Sequence, residues 1–325
     1  MSQRVIISTN LENEIAEALA ECEHDKIFVL TDETTVVKCW PVVKNYFSLR
    51  DAKVITIGAT DTHKDLDTMV HVWKSLGEGG ASRHSCMINL GGGMVTDLGG
   101  FAAATFKRGI NFGGLKNEIG VFCDSKFVIL DTEFLRTLDA ENICSGYAEM
   151  LKHGLISDEK MWAELVGFDL AHPDLQQLQR MVGDSVAVKE RIVEQDPHEH
   201  GIRKALNLGH TFGHAFESWA LKRKPVLHGY AVAFGLIPEL YLSVMKTGFP
   251  TEKMRQTVNF IKEYYGSLPI TCDDYDELIE LMRHDKKNQD GIINFTLLGG
   301  IGDIRINQSA TIDEIKEAFD FFREG

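Results

Sequence analysis

A run of apolar residues that ends in three consecutive glycines constrains this chain most. Ser85-Cys86-Met87-Ile88-Asn89-Leu90 reads as a buried strand and runs directly into Gly91-Gly92-Gly93, after which Met94 to Thr105 has helical character. Strand, glycine turn and helix form one unit of a parallel α/β sheet, because parallel strands need a crossover between them. Other apolar runs repeat the theme. Lys26 to Thr31 ends at Asp32, and Val54 to Ile57 ends at Gly58. A helix capped by Asn10 carries Ile15, Ala18 and Leu19 on one face, and Lys64 to Leu76 has helical period. Glycine lets a backbone approach an anion, and a helix N-terminus offers it free N–H groups. A tight turn without a ligand would use the same residues, and Thr96 stands where the third glycine of a full dinucleotide fingerprint would be.

Beyond Thr137 the pattern changes. Helical periodicity covers residues 139–157, 173–195, 203–223, 226–247, 251–265, 273–284 and finally 311–322, broken by strands at 292–298 and 302–306 with a hairpin across Gly299-Gly300. The expected architecture is α/β, with an N-terminal Rossmann-like parallel-sheet domain over residues 1–140 and a mostly α-helical domain over 141–325. No flexible linker separates them, and domains joined in that way commonly share a ligand cleft.

Within the helical part, Asn207-Leu208-Gly209-His210-Thr211-Phe212-Gly213-His214 opens a helix and places His210 and His214 on one face. His228 follows in Leu227-His228-Gly229, and Glu149 and Lys152 stand three apart upstream. One carboxylate with two or three imidazoles is the donor set of an open divalent-metal site. Two histidines at helical spacing are more often a polar face than a ligand pair. The first is not followed by the glutamate of a zinc protease, so that mechanism lacks its base.

Composition removes other classes. A net charge of −14 argues against non-specific nucleic-acid binding, and any anionic substrate would need a local cluster of Lys and Arg. The six cysteines stand singly, as expected of a reducing compartment. The N-terminus shows no signal peptide, and no apolar run is long enough for a membrane. A cytoplasmic chain is expected.

Taken together, several motifs resemble the 3-dehydroquinate synthases. They are Gly91 to Phe101 with Phe106-Lys107-Arg108-Gly109, Gly146 to Lys152, Arg203 to His210, Leu227-His228-Gly229 and Asp285-Lys286-Lys287-Asn288, in the family's order and roughly its spacing over nearly the whole chain. The resemblance implies an NAD-binding α/β domain and a helical domain holding zinc or cobalt. It also implies a lyase of the shikimate pathway, which leads to the aromatic amino acids. The enzyme would convert 3-deoxy-D-arabino-heptulosonate 7-phosphate to 3-dehydroquinate and phosphate by transient oxidation, phosphate elimination, reduction and aldol closure. A homodimer is the family expectation.

By motif, the resemblance implies Glu149, His210 and His228 as metal ligands. Lys152, Lys189, Arg203, Asn207, His214, Arg108, Asn117 and one of Lys286 and Lys287 would meet substrate. His214 would serve in proton transfer, with the substrate's own phosphate as the alternative base. Asp32, Asp61, Lys64, Gly92, Gly93, Met94, Asp97, Lys116, Thr137 and Leu138 would meet NAD.

The chain also departs from the family. After Arg108, Gly109-Ile110-Asn111-Phe112 leads directly to Gly113-Gly114-Leu115-Lys116-Asn117. The family interposes a strand, a threonine turn and a glycine-rich loop that carry NAD and substrate contacts. Deleting a strand exposes unpaired backbone groups, so the first expectation is that the protein carries a segment this sequence omits; a real deletion would leave an inactive or altered homologue. Tyr230 replaces a usual Glu, Asp139 a Pro, Thr34 an Asn and Asp61 a Glu. The nearest rival activity is that of another sugar-phosphate cyclase. A polyol dehydrogenase of related fold is disfavoured, since Lys152, Arg203 and Asp285-Lys286-Lys287-Asn288 suit a phosphorylated acid.

Overall fold

The fold is described from a computed structural model, over residues 4–60, 63–113, 125–283 and 293–324. Contacts divide the chain into two compact units, Met1–Thr137 and Leu138–Gly325.

The first unit contains β1 (Arg4–Ile7), α1 (Leu11–Ala20), β2 (Ile27–Asp32), the single turns α2 (Thr35–Lys38) and α3 (Trp40–Val43), β3 (Lys53–Ile57), α4 (Leu66–Glu78), β4 (Cys86–Asn89), α5 (Gly93–Thr105), β5 (Asn111–Gly113) and β6 (Phe127–Leu130). Four strands make a parallel sheet in the order β3-β2-β4-β5, and β1 pairs in parallel with β6. The interior of β2 is buried throughout, as a central parallel strand must be, while the edge strand β3 alternates. One core joins Phe28, Leu30, Val72, Leu76, Met87, Val95 and Leu98. A second joins Leu19, Val43, Leu49 and Cys86 on the other side of the strands. The sheet's last strand, β5, is only three residues long, and it lies where the family segment is absent.

The second unit contains α6 (Ala140–Ser157), α7 (Glu159–Val166), α8 (Leu175–Gln195), α9 (His210–Leu221), α10 (His228–Thr247), α11 (Thr251–Tyr265), α12 (Tyr275–Arg283), the antiparallel pair β7 (Asn294–Gly300) and β8 (Asp303–Ser309), and α13 (Ile312–Glu324). α10 is apolar nearly all round and is the central element, packed against α9, α6, α13, β7 and α11. The starts of α6, α7 and α8 are fixed by Asp139, Asp158 and Asp174, whose carboxylates accept N–H groups of their own first turns. Asp139, one of the departures from the family, therefore has a local role as a cap.

The periodicity at 203–223 is not one helix. A 3-10 turn at Ile202–Asn207 precedes α9, and Gly209, with φ of 80°, separates them. That angle is strained for any residue with a side chain. The hairpin turns at Ile301-Gly302, not at Gly299-Gly300, because β7 extends to Gly300 and Gly302 has the positive φ the turn needs. α7 is a helix that the sequence reading leaves unassigned.

Candidate metal centre

Three helices, α6, α9 and α10, bring one carboxylate and two imidazoles together. His210 is the first residue of α9, His228 the first of α10, and Glu149 lies within α6. α6 and α10 meet closely, since a Cβ on Gly229 would lie 1.8 Å from the Ser145 carbonyl oxygen. Gly229 N–H also donates to Ser145 Oγ at 3.1 Å. Only glycine permits this approach, and it holds Glu149, one turn on from Ser145, opposite His228.

Glu149 divides its two oxygens. Oε2 takes the Lys152 ammonium at 2.5 Å, while Oε1 faces His210 Nε2 at 3.4 Å and His228 Nε2 at 3.7 Å. All three donor atoms lie within 4.8 Å of one another. Tetrahedral coordination with bonds of about 2.0–2.2 Å sets donor atoms about 3.3–3.6 Å apart. The His210–Glu149 separation falls in that range, the His228–Glu149 separation lies just beyond it, and the mixed N/O chemistry suits a divalent cation.

The ring nitrogens away from the centre are also held. His210 Nδ1 lies 3.1 Å from the Leu208 carbonyl oxygen, and His228 Nδ1 lies 3.1 Å from Glu217 Oε2. Each contact orients its ring so that Nε2 faces Glu149. Glu217 was not among the sequence candidates. Its signal is available, because it follows His210 by two helical turns and so shares that face of α9.

Charge in the cluster is strongly coupled. Burial pushes the Glu149 carboxyl up, but Lys152 and the hydrogen bonds of both histidines outweigh it and hold the group well below the usual carboxylate range. Hydrogen bonds to Glu149 and Glu217 push His228 up to about 9. Beneath the cluster, burial and then Lys152 push His153 down to about 3. His153 Nδ1 lies 2.7 Å from Ser185 Oγ, and its Nε2 is buried without a partner.

The other candidates of this unit surround the centre unevenly. The His214 ring centroid lies 5.3 Å from that of His210 and 6.0 Å from that of His228. Lys152 is buried and also donates to the Leu206 carbonyl at 2.9 Å. Asn207 donates to Glu199 Oε1 at 2.9 Å, and Arg203 donates to the Pro197 carbonyl at 2.6 Å. Glu199, a second residue the sequence reading did not single out, has φ of 60°, unusual for a side-chain-bearing residue. Lys189 is exposed on α8. Tyr230 turns to α6, where burial pushes its hydroxyl up to about 12 beside Cys144, and its ring meets Tyr265 edge-on at 5.0 Å. Lys286 and Lys287 lie outside the described residues.

In the first unit, Asp32 and the glycines lie at the carboxyl ends of the neighbouring strands β2 and β4, where open α/β sheets take ligands. Asp32 Oδ1 accepts the N–H groups of Thr34 and Thr35 at 2.8 and 2.7 Å. α5 starts at Gly92 with no side-chain cap, and a Cβ on Gly92 or Gly93 would meet nothing within 4 Å. This open, uncapped helix end suits an anion. Lys64 pairs with Asp97 at 2.8 Å, and Met94 packs on the core. Thr137 donates to the Phe134 carbonyl and Arg108 has φ of 74°, while Leu138, the first residue of the second unit, is exposed. Asp61, Lys116 and Asn117 lie outside the described residues.

Comparison with known proteins agrees with this picture. Residues 54–115 match the 3-dehydroquinate synthase N-terminal family, and residues 146–288 match the 3-dehydroquinate synthase C-terminal family. The chain is 51% identical to the 3-dehydroquinate synthase of Parabacteroides distasonis over 346 aligned positions, which cover 99% of this chain and 98% of the relative. It is 33% identical to that of Pyrococcus furiosus, covering 93% of each. Among solved structures, a 2-epi-5-epi-valiolone synthase from Streptomyces hygroscopicus with NAD+ and Zn2+ bound superposes with a TM-score of 0.85 at 22% identity, covering 100% of this chain and 97% of the other. That likeness establishes the fold.

Proposed function

The chain belongs to the 3-dehydroquinate synthase family, and from that membership we propose that it converts 3-deoxy-D-arabino-heptulosonate 7-phosphate to 3-dehydroquinate and phosphate. The observation that carries the reading is the convergence of His210 Nε2 and His228 Nε2 on Glu149 Oε1, with the Lys152 ammonium on the other oxygen. Glu149, His210 and His228 would hold zinc or cobalt. Such a cation supplies the charge that polarises a substrate hydroxyl. Asp32, Lys64, Gly92, Gly93, Met94, Asp97, Thr137 and Leu138 would hold NAD, which supplies a hydride acceptor regenerated within each turnover.

The remaining steps fall to the protein's own groups. Lys152, Lys189, Arg203 and Arg108 would give an otherwise acidic chain the local positive charge that a phosphate and a carboxylate require. Asn207 would hydrogen-bond the substrate from beside Glu199. His214, with its ring next to both ligand imidazoles, would move a proton. The enzyme is proposed to act in the cytoplasm as a homodimer. Among the described residues no helix is long and apolar enough to cross a membrane.

A second reading comes from the segment absent after Arg108. The alignment with the Parabacteroides relative runs 346 positions, longer than the 325 residues of this chain, so that relative carries positions this chain lacks. A homologue that keeps the metal ligands but not the turnover would have this form. One assay separates the two readings: phosphate release from the heptulosonate phosphate, with NAD and Co2+ or Zn2+, on protein of verified mass. Release that a chelator stops and that yields dehydroquinate supports the synthase. Folded, metal-loaded protein that releases none leaves the non-catalytic homologue.

A further inference from the structure

We propose that Glu239 is a positioning residue for His210, its carboxylate clamping the first turn of α9 so that the imidazole is held at the metal centre. The inference rests on the metal reading of Glu149, His210 and His228. It concerns a residue outside every motif that identified the family.

α9 begins without a cap of its own. Its N-cap is Gly209, which has no side chain to accept the free N–H groups of the first turn. Those groups turn to α10 instead. Gly209 N–H donates to Glu239 Oε2 at 2.5 Å, and the N–H groups of Thr211 and Phe212 donate to Oε1 at 3.0 and 3.3 Å. Glu239 is fully buried. A carboxylate out of water is costly unless several donors and a favourable dipole compensate it, and the N-terminus of α9 supplies both.

The position of the clamp bears on the chemistry. His210 lies between Gly209 and Thr211, two of the residues whose N–H groups are held. With Nδ1 at the Leu208 carbonyl, its ring is fixed from the backbone side, and Nε2 is left facing Glu149. Glu239 also shares α10 with His228. Eleven residues is close to three whole turns, so both residues project from nearly the same face, about 16 Å apart. The same helix therefore supplies the second ligand directly and locates the first through its carboxylate.

The test is Co2+ titration of the apoprotein, followed by the metal's d–d absorption, for the unmodified protein, Glu239→Gln and Glu239→Ala, with the melting temperature of each apo form. Loss of a residue that orients a ligand costs about 10–100-fold in metal affinity, and Glu239→Ala is expected in that range. Glu239→Gln should fall between the two. Its single oxygen can serve Gly209 or the Thr211 and Phe212 pair, but not both. A purely structural cap would lower the melting temperature and leave Co2+ affinity within twofold, which would overturn the proposal. If Glu239→Ala does not fold, Glu239→Gln decides by the same criterion. Failure of the unmodified protein to take up Co2+ would overturn the metal reading as well, so the two failures are distinguishable.

Discussion

The metal centre of the second unit and the glycine turn of the first prepare for ligands in opposite ways. At the metal centre, side chains do the work. Two Nε2 atoms and one carboxylate oxygen already converge, each held from behind by Leu208, Glu217 or Lys152. At the glycine turn the side chains engage one another, Asp32 with its own loop and Lys64 with Asp97. What is left for a ligand is backbone: an uncapped helix end beside two glycines with open space. Side-chain sites depend on residue identity, whereas backbone sites depend on what is absent.

Removing a ligand atom should have the largest effect and should leave the first unit untouched. Glu149→Gln keeps the shape of the side chain but weakens the anionic donor and its pairing with Lys152. A metal ion contributes several kcal/mol of charge stabilisation, which corresponds to roughly a thousandfold or more in rate. Turnover in Glu149→Gln or His228→Ala should fall by at least that factor, while NAD affinity stays within a few fold. Activity near that of the unmodified enzyme after free metal is removed would refute the ligand assignment.

The converse experiment fills the open space. Gly92→Val adds a side chain where a Cβ meets nothing within 4 Å, so the unit should still fold. If an anion approaches that helix end, the added bulk should weaken NAD binding by about tenfold or more, on the scale of 1.4 kcal/mol per decade, with Co2+ affinity unchanged. Unaltered NAD binding in a fluorescence titration would mean that the turn is only a turn. Arg203→Ala sharpens the contrast within the second unit. It should raise the KM for the phosphorylated substrate severalfold without moving the NAD constant, and equal losses in both would count against it.

The difference between the two regions also explains what was legible in the sequence. His210, His228 and Glu149 could be read from spacing and motif because ligand chemistry admits few residue types. The sheet could be read because β2 and β4 are apolar runs bounded by turn residues. Glu239 escaped notice. It stands among the apolar residues of α10, and the N–H groups that donate to its carboxylate lie some thirty positions earlier, at the start of α9. The break at Gly209 was lost for a related reason. Helical period persists through the 3-10 turn, and the boundary shows in the backbone, in the non-helical Leu208 and the positive φ of Gly209. Sequence pattern thus located the candidate donor atoms more readily than the contacts that hold them.

A pH-dependent effect is expected in the layer beneath the metal centre. His153 is buried beside Lys152, and its pKa falls from the usual 6.5 to about 3. The folded protein therefore keeps this imidazole neutral over a range in which the unfolded chain protonates it. Between pH 6.5 and 3 the unfolded state binds the extra proton, so stability should decline as pH falls, by no more than about 1.4 kcal/mol per pH unit from this group. His153→Asn retains a polar atom near the position of Nδ1 for Ser185 and removes the titration. Urea unfolding of both proteins from pH 7 to pH 4 should therefore give a shallower acid limb for the variant, while the carboxylates common to both contribute equally. Parallel limbs would mean that the buried imidazole takes up a proton without disturbing the fold. The layer under Lys152 would then be softer than its burial implies, and the rigidity of the metal centre would have to come from α9 and α10 alone.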